Sequence, residues 1–318
     1  KVDSLGGNAK LGDGEFLVAE ADESDGSFLK LSPVIEVVTN IDLEHLDYYR
    51  DLDQIKNTFL DFIDKIPFYG AAVLCLDDPN VATLLPEIQK RVITYGTRTQ
   101  ADIHTRQVVT RGLSSEFDVY GNQELLGTIR LAMPGRHNVA NALAAVAVGL
   151  ELDIPFPVLA SALESYSGVQ RRLQIKGEHG GITVIDDYGH HPTEIRATLG
   201  ALRAAWPKRR LVVLFQPHRY TRTQGLFQEF CTAFHEADCL FLSEIYAASE
   251  QPIPGVSGES LMAGIKQHGQ KQVEFVAEPS TLLETVLPQL AEGDIVLTLG
   301  AGNIYRTGEE LVRKLESG

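Results

Sequence analysis

At 318 residues, 44% apolar and 22% charged, the chain is long enough for two cores and ordinary enough in composition to be globular, which excludes a disordered or fibrous protein. Its net charge of −15 is concentrated in the first half and excludes a general nucleic-acid footprint, so any anionic ligand must be held by local arginines, backbone amides or bound cations. Cys75, Cys231 and Cys239 form no CxxC pair, no apolar run approaches the ~18 residues of a membrane span, and "KVDSLGGNAK" at the start carries no targeting pattern. A disulfide framework, a zinc ribbon and a membrane anchor are set aside, and a reducing cytoplasm fits best.

In chain order, "EFLVAEAD", "VIEVVTNI" and "AAVLCLDD" read as short buried strands ending in polar turns, and "DQIKNTFLDFIDKI" has helical spacing. A parallel α/β sheet is expected. Residues 102–133 alternate apolar and polar over three segments with Gly-containing turns, which predicts a small antiparallel appendage. "NVANALAAVAVGLEL" is an Ala-rich helix, and Pro155 or Pro157 opens another through "LASALESY". After "SGVQRR" the alternation restarts: "GITVIDD", "RLVVLFQP", "DCLFLSEI", "QVEFVAE" and "DIVLTLGAG" are strands separated by helices, and the last leads into "YRTGEELVRKLE". This predicts a second, Rossmann-like doubly wound α/β domain. The expected division is 1–167 and 168–318.

Ligands of open α/β sheets bind at the carboxyl ends of the strands, so the polar residues there carry the functional reading. In "FLVAEADESD", Glu20, Asp22, Glu23 and Asp25 follow an apolar strand as a Walker-B acid does, and could hold Mg²⁺ against phosphate oxygens. A solvated acidic loop is the plainer alternative. "TNIDLEHLDYY" offers Asn40, Asp42, Glu44 and His45 as partners for the same ion. In "PGRHNVANALAA", His137, Asn138 and Asn141 open a helix whose amides suit a purine edge, although Asn138 could simply be an N-cap. Arg171 and Arg172 at the domain hinge suit a phosphate. "DDYGHHPTEI" crowds Asp187, Tyr188, His190 and His191 after a strand; adjacent histidines cannot share a metal as an i, i+4 pair would, so an acid–base loop is preferred to a metal centre. In "FQPHRYTRT", Arg219 and Arg222 at i, i+3 form a fork suited to a carboxylate if the segment is helical.

These stretches, with "RRLQ" and "GAGNI", occur in the order found in the Mur ligases, and the chain resembles most the alanine-adding branch of that family over essentially its whole length. The resemblance implies an ATP-dependent amide ligase of peptidoglycan synthesis. ATP would phosphorylate the lactyl carboxylate of UDP-N-acetylmuramate, and the amine of L-alanine would attack the acyl phosphate. It further implies Glu20 and His45 as Mg²⁺ ligands, with His137, Asn138 and Asn141 near the adenine, Arg172 on the ATP phosphates and Asp187 on the ribose. Tyr188 and His190 would approach the alanine, Arg219 and Arg222 would hold its carboxylate, and His190 with Arg172 would be the catalytic pair. One departure is Glu44, where members commonly have Asp before the motif histidine.

No GxxxxGK[ST] phosphate loop is present in the sequence. The resemblance implies that this loop and a UDP-binding domain lie upstream, and that the chain alone is not a competent ligase. Two other readings stand beside the first: a recycling ligase that joins a tripeptide to the same sugar nucleotide, and a non-catalytic nucleotide-binding α/β module.

Overall fold

The computed structural model describes residues 9–98 and 100–317. These divide after Ser167 into two compact units, each an α/β sheet with helices packed on it. No helix among the described residues is long and apolar enough to cross a membrane.

The first unit is a six-stranded sheet in the order β1-β2-β3-β4-β5-β6. Its elements are β1 (Ile35–Val38), α1 (Leu52–Ile63), β2 (Ala71–Cys75), α2 (Pro79–Leu84), β3 (Val92–Gly96), β4 (Ile103–Arg111), β5 (Ser114–Gly121), β6 (Glu124–Leu131), α3 (Arg136–Glu151) and α4 (Phe156–Glu164). Strands β1 to β4 pair in parallel and β4 to β6 antiparallel. The antiparallel segment expected as an appendage is thus a continuation of the sheet, because Tyr95 and Gly96 of β3 register with Ile103 and His104 of β4. Strand β2 is buried along its whole length, as a strand covered on both faces must be, whereas β5 alternates. The alanines of α3 let it lie close to the sheet. Gly149 permits α4 to approach, since a Cβ there would come within 2.3 Å of Leu159.

One expected strand is absent. Residues 15–22 carry no strand, and Leu17 and Val18 are 92% and 93% exposed. A strand exists only through a ladder partner, and this apolar run meets none among the described residues.

The second unit comprises β7 (Gln174–His179), β8 (Ile182–Asp187), α5 (Pro192–Ala205), β9 (Leu211–Phe215), α6 (Tyr220–Gly225), α7 (Phe227–Cys231), β10 (Cys239–Ser243), α8 (Gly258–Gln267), β11 (Val273–Val276), α9 (Pro279–Val286), β12 (Ile295–Leu299) and α10 (Tyr305–Ser317). The strand order is β11-β10-β9-β12-β8-β7, parallel except for β7. Strand β12 inserts between β8 and β9, which sets the carboxyl ends of three fully buried strands side by side at the place where such sheets bind ligands. Gly300 follows β12 at φ 144, and a Cβ there would lie 2.6 Å from the carbonyl of Gln216, so only glycine allows this close passage.

Candidate active site

The hydrophobic run of β8 ends in two acids that the fold uses from within. Asp186 is fully buried and accepts from Arg171 Nε at 3.0 Å and Thr298 Oγ1 at 2.7 Å. Arg171 also donates to the Gly300 carbonyl at 2.7 Å and lies between the rings of Tyr188 and Tyr305 at 4.8 and 4.7 Å. Its guanidinium clasps the ends of β8 and β12 rather than standing ready for a phosphate. Asp187, 2% exposed, accepts from the amides of Leu173 and Gly189, both at 2.8 Å, and from Thr198 Oγ1 at 3.3 Å. Burial pushes its carboxyl up, opposed by Arg172 and these amides. Both Asp187 oxygens thus accept hydrogen bonds that shape the loop between β8 and α5.

Helix α5 starts at that loop. His191 is its N-cap and accepts from the Thr193 amide at 3.2 Å, while the Glu194 side chain returns to the backbone of His190 and His191 at 3.0 and 3.2 Å. This is a capping box with histidine in the serine position. The same Glu194 carboxylate takes Arg172 Nη1 at 3.0 Å and lies 3.5 Å from His190 Nδ1. Burial works against its charge, yet His190 and Arg172 hold it below the usual carboxylate range. Arg172 and His190, from different ends of the loop, are thus tied to one acid. His190 Nδ1 also faces the Tyr188 carbonyl at 3.1 Å.

Past β9, Arg219 caps α6 at φ 70 and Arg222 follows within the helix. Arg222 Nη1 lies 3.2 Å from both the Nδ1 and the carbonyl oxygen of His218. Burial, together with the charges of Arg222, His190 and Arg219, pushes the His218 ring down to about 4. A row of rings completes this edge: Tyr188 against His190 at 5.4 Å, His190 against His218 at 5.9 Å, and His218 stacked on Tyr246 at 5.5 Å and 8°. The strand-end residues of β8, β9 and β10 are therefore in contact, with Arg172, Arg219 and Arg222, the acid Glu194 and four titratable or phenolic rings at one sheet edge.

In the first unit, the acidic loop is organised by its own turns. Asp22 accepts from the Ser24 amide and Asp25 from the Ser27 amide, each at 2.9 Å; the Ser24 amide and hydroxyl lower the Asp22 carboxyl, and the Ser27 hydroxyl, with its amide, lowers that of Asp25. Glu20 is exposed. His45 Nε2 lies 3.3 Å from the Glu23 carboxylate. Among the described residues no group of three or more His, Cys, Asp or Glu is placed to hold a metal ion. A Mg²⁺ that keeps most of its ligands as water and phosphate oxygens needs only a carboxylate or two from protein, and the exposed Glu20 fits that limited demand.

Helix α3 is capped by Gly135, not by Asn138. Asn138 sits in the first turn and donates Nδ2 to the Pro134 carbonyl at 2.7 Å, which holds the entering turn. His137 and Asn141 are exposed. Arg136 donates to Thr97 Oγ1 at 2.9 Å, linking the helix start to the loop after β3.

Sequence reasoning passed over Glu194 and Tyr246 and noted His218 beside the arginine fork without giving it a role. The spacing of His191 to Glu194 carried the capping signal, hidden because the cap is not Ser or Thr. His218 stands four residues before Arg222, just ahead of α6. Tyr246 had no local signal, since its bridge to His218 closes a long loop.

Residues 4–149 match the Mur ligase middle domain and residues 171–302 the Mur ligase glutamate ligase domain. The chain is 64% identical over 315 residues to the UDP-N-acetylmuramate–L-alanine ligase of Desulfotalea psychrophila, covering 99% of this chain and 69% of that protein. The solved UDP-N-acetylmuramate-alanine ligase of Thermotoga maritima aligns with TM-score 0.75 and 27% identity, over 93% of this chain and 63% of that one. The MurF ligase of Thermotoga maritima in complex with ADP, at 19% identity and TM-score 0.69, shares the fold. The chain thus spans about two thirds of the length of the proteins it matches. With both of its units matched in order, and with such identity to a curated relative over nearly all of its length, the chain belongs to the Mur ligase family.

Proposed function

We propose that this chain supplies the middle and C-terminal domains of a ligase that joins L-alanine to the lactyl carboxylate of UDP-N-acetylmuramate at the expense of ATP. The observation that carries this reading is the 64% identity to an L-alanine ligase across 99% of the chain. It favours the alanine-adding reaction over tripeptide ligation and over a non-catalytic module. The reaction belongs in the cytoplasm, where ATP and nucleotide sugars are available.

In the first step the γ-phosphoryl group moves from ADP oxygen to a carboxylate oxygen of the sugar. In the second, the alanine nitrogen bonds to the acyl carbon, the carbon–oxygen bond to phosphate breaks, and the amine loses its proton. Little covalent work falls to the protein, so the task is charge neutralisation and alignment. Magnesium, when bound beside Glu20, supplies neutralisation of the phosphates. Arg172, held by Glu194, presents a guanidinium to phosphate, and His137, Asn138 and Asn141 supply the adenine side. Arg219 and Arg222 hold the amino-acid carboxylate, and Tyr188 borders it. If His190 donates its Nδ1 proton to the Tyr188 carbonyl, its lone pair lies on Nε2, the nitrogen that would take the ammonium proton. The test is ADP release by a full-length ligase containing this chain, with UDP-N-acetylmuramate and either L-alanine or tripeptide. L-alanine should drive turnover; turnover with tripeptide alone would overturn the reading.

A further inference from the structure

His218 has no substrate role above, yet it is among the most constrained side chains of the strand-end site. Two backbone bonds clamp its segment to Tyr246: the Tyr246 amide donates to the Pro217 carbonyl at 2.8 Å and the Arg219 amide to the Tyr246 carbonyl at 2.9 Å. The ring lies flat on Tyr246, at 8° between planes. Arg219 is held at φ 70, a conformation a non-glycine residue keeps only when its surroundings impose it. At the end of this clamp, Arg222 Nη1 stands 3.2 Å from two acceptors of one residue, His218 Nδ1 and the His218 carbonyl.

We propose that His218 is the positioning residue of the amino-acid site: its ring and its own carbonyl together seat Arg222 Nη1 and so fix the rotation at which that guanidinium meets the carboxylate of the incoming amino acid. The inference rests on the alanine reading above. A guanidinium recognises a carboxylate directionally, through parallel N–H groups in one plane. With Nη1 held within 3.2 Å of both His218 acceptors, the plane is set by a rigid partner rather than by the flexible arginine stem. The chemistry of the seat is self-consistent. Burial and the surrounding positive charge keep the ring pushed down to about 4, so it is uncharged at neutral pH and Nδ1 can accept. Its proton then belongs on Nε2. A protonated ring would set two donors against each other and break the seat.

The seat can be read first in the 318-residue chain itself, by nitrogen-15 NMR of the His218 ring. The Nε2–H tautomer should persist near neutral pH, and Arg222→Ala should move the Nδ1 resonance toward that of an unbonded acceptor. An Nδ1–H tautomer, a protonated ring, or no response to Arg222→Ala would overturn the seat. In the full-length ligase, His218→Ala should raise the alanine KM by about 10-fold and leave the ATP KM within about twofold, and His218→Asn, whose Oδ1 falls near the position of Nδ1, should recover most of the loss. Because His218 acts through Arg222, His218→Ala should add less than about twofold once Arg222 is already Ala. A full additional effect in that background, or Asn performing no better than Ala, would overturn the positioning role. If Arg222→Ala left the alanine KM unchanged while the NMR seat was present, the alanine reading itself would fall.

Discussion

Glu36 offers a perturbation whose size can be worked from the fold. It lies in β1 on the same face as Val38, which packs in the first unit's core, and it is 5% exposed. Neither carboxylate oxygen has a hydrogen-bond partner. Burial pushes its carboxyl from an ordinary 4.5 to about 8. A raised acid favours the folded state most at low pH, where both states are protonated. As pH climbs above the unfolded value near 4.5 the unfolded chain releases the proton first, and stability falls until the folded group ionises near 8. At about pH 7 the loss is roughly 3 kcal/mol, from about 1.4 kcal/mol per unit of difference. Glu36→Leu removes the titration and the unpaired oxygens together, and Glu36→Gln removes only the titration. Urea unfolding followed by far-UV circular dichroism at about pH 5 and about pH 8 should therefore show both variants gaining on the parent as pH rises, with Gln starting lower because its amide also lacks partners. Trp206, the single tryptophan and in the second unit, reports that unit separately. Variants that keep the parent's pH dependence would mean that Glu36 is solvated or already ionised in the folded protein, and the burial argument would be wrong.

Breaking the clasp at the end of β8 by Asp186→Asn leaves Arg171 facing a neutral partner and should lower stability by about 3–5 kcal/mol, measurable by Trp206 fluorescence in urea; a loss below about 1 kcal/mol would show that the pair contributes little. Arg219→Ala and Arg222→Ala in the full-length ligase should each raise the alanine KM by about 10- to 150-fold, with ATP binding little changed, and lysine should restore only part. Weakened ATP binding with an unchanged alanine KM would reassign the two arginines to phosphate. Glu20→Gln should lower turnover by about 10²-fold with the fold retained, checked by rates at limiting magnesium; near-normal rates there would return Glu20 to a solvated loop.

The second unit was legible because its parallel strands are buried on both faces and read as uninterrupted apolar runs, and because the strand-end rule points to Tyr188, His190, Arg219 and Arg222, which do lie at those ends. Strand β7 escaped notice: it is a polar edge strand with a bulge, and its burial alternates with neither period. Residues 15–22 failed in the opposite sense, since an apolar run specifies that a strand is possible while its ladder partner must come from elsewhere. The acids were legible as a class but not individually. The resemblance selects Glu20 and His45 as metal ligands, whereas nothing in the sequence signals that Glu23 stands beside the His45 ring or that Asp22 and Asp25 are engaged by local turns. Asp187 and Arg171 show the same limit. Charge at a strand end suggests ligand binding, and the sequence carries no sign that backbone amides and carbonyls also engage both residues from within.

The central claim is that the alanine amine displaces phosphate from an acyl phosphate of the sugar's carboxylate. It is tested most directly by labelling that carboxylate with oxygen-18 and recovering the inorganic phosphate formed by a full-length ligase containing this chain. The account predicts L-alanine-dependent turnover in which one carboxylate oxygen appears in each phosphate, because the carbon–oxygen bond is the one that breaks. Unlabelled phosphate, or label transfer that does not require L-alanine, would contradict it.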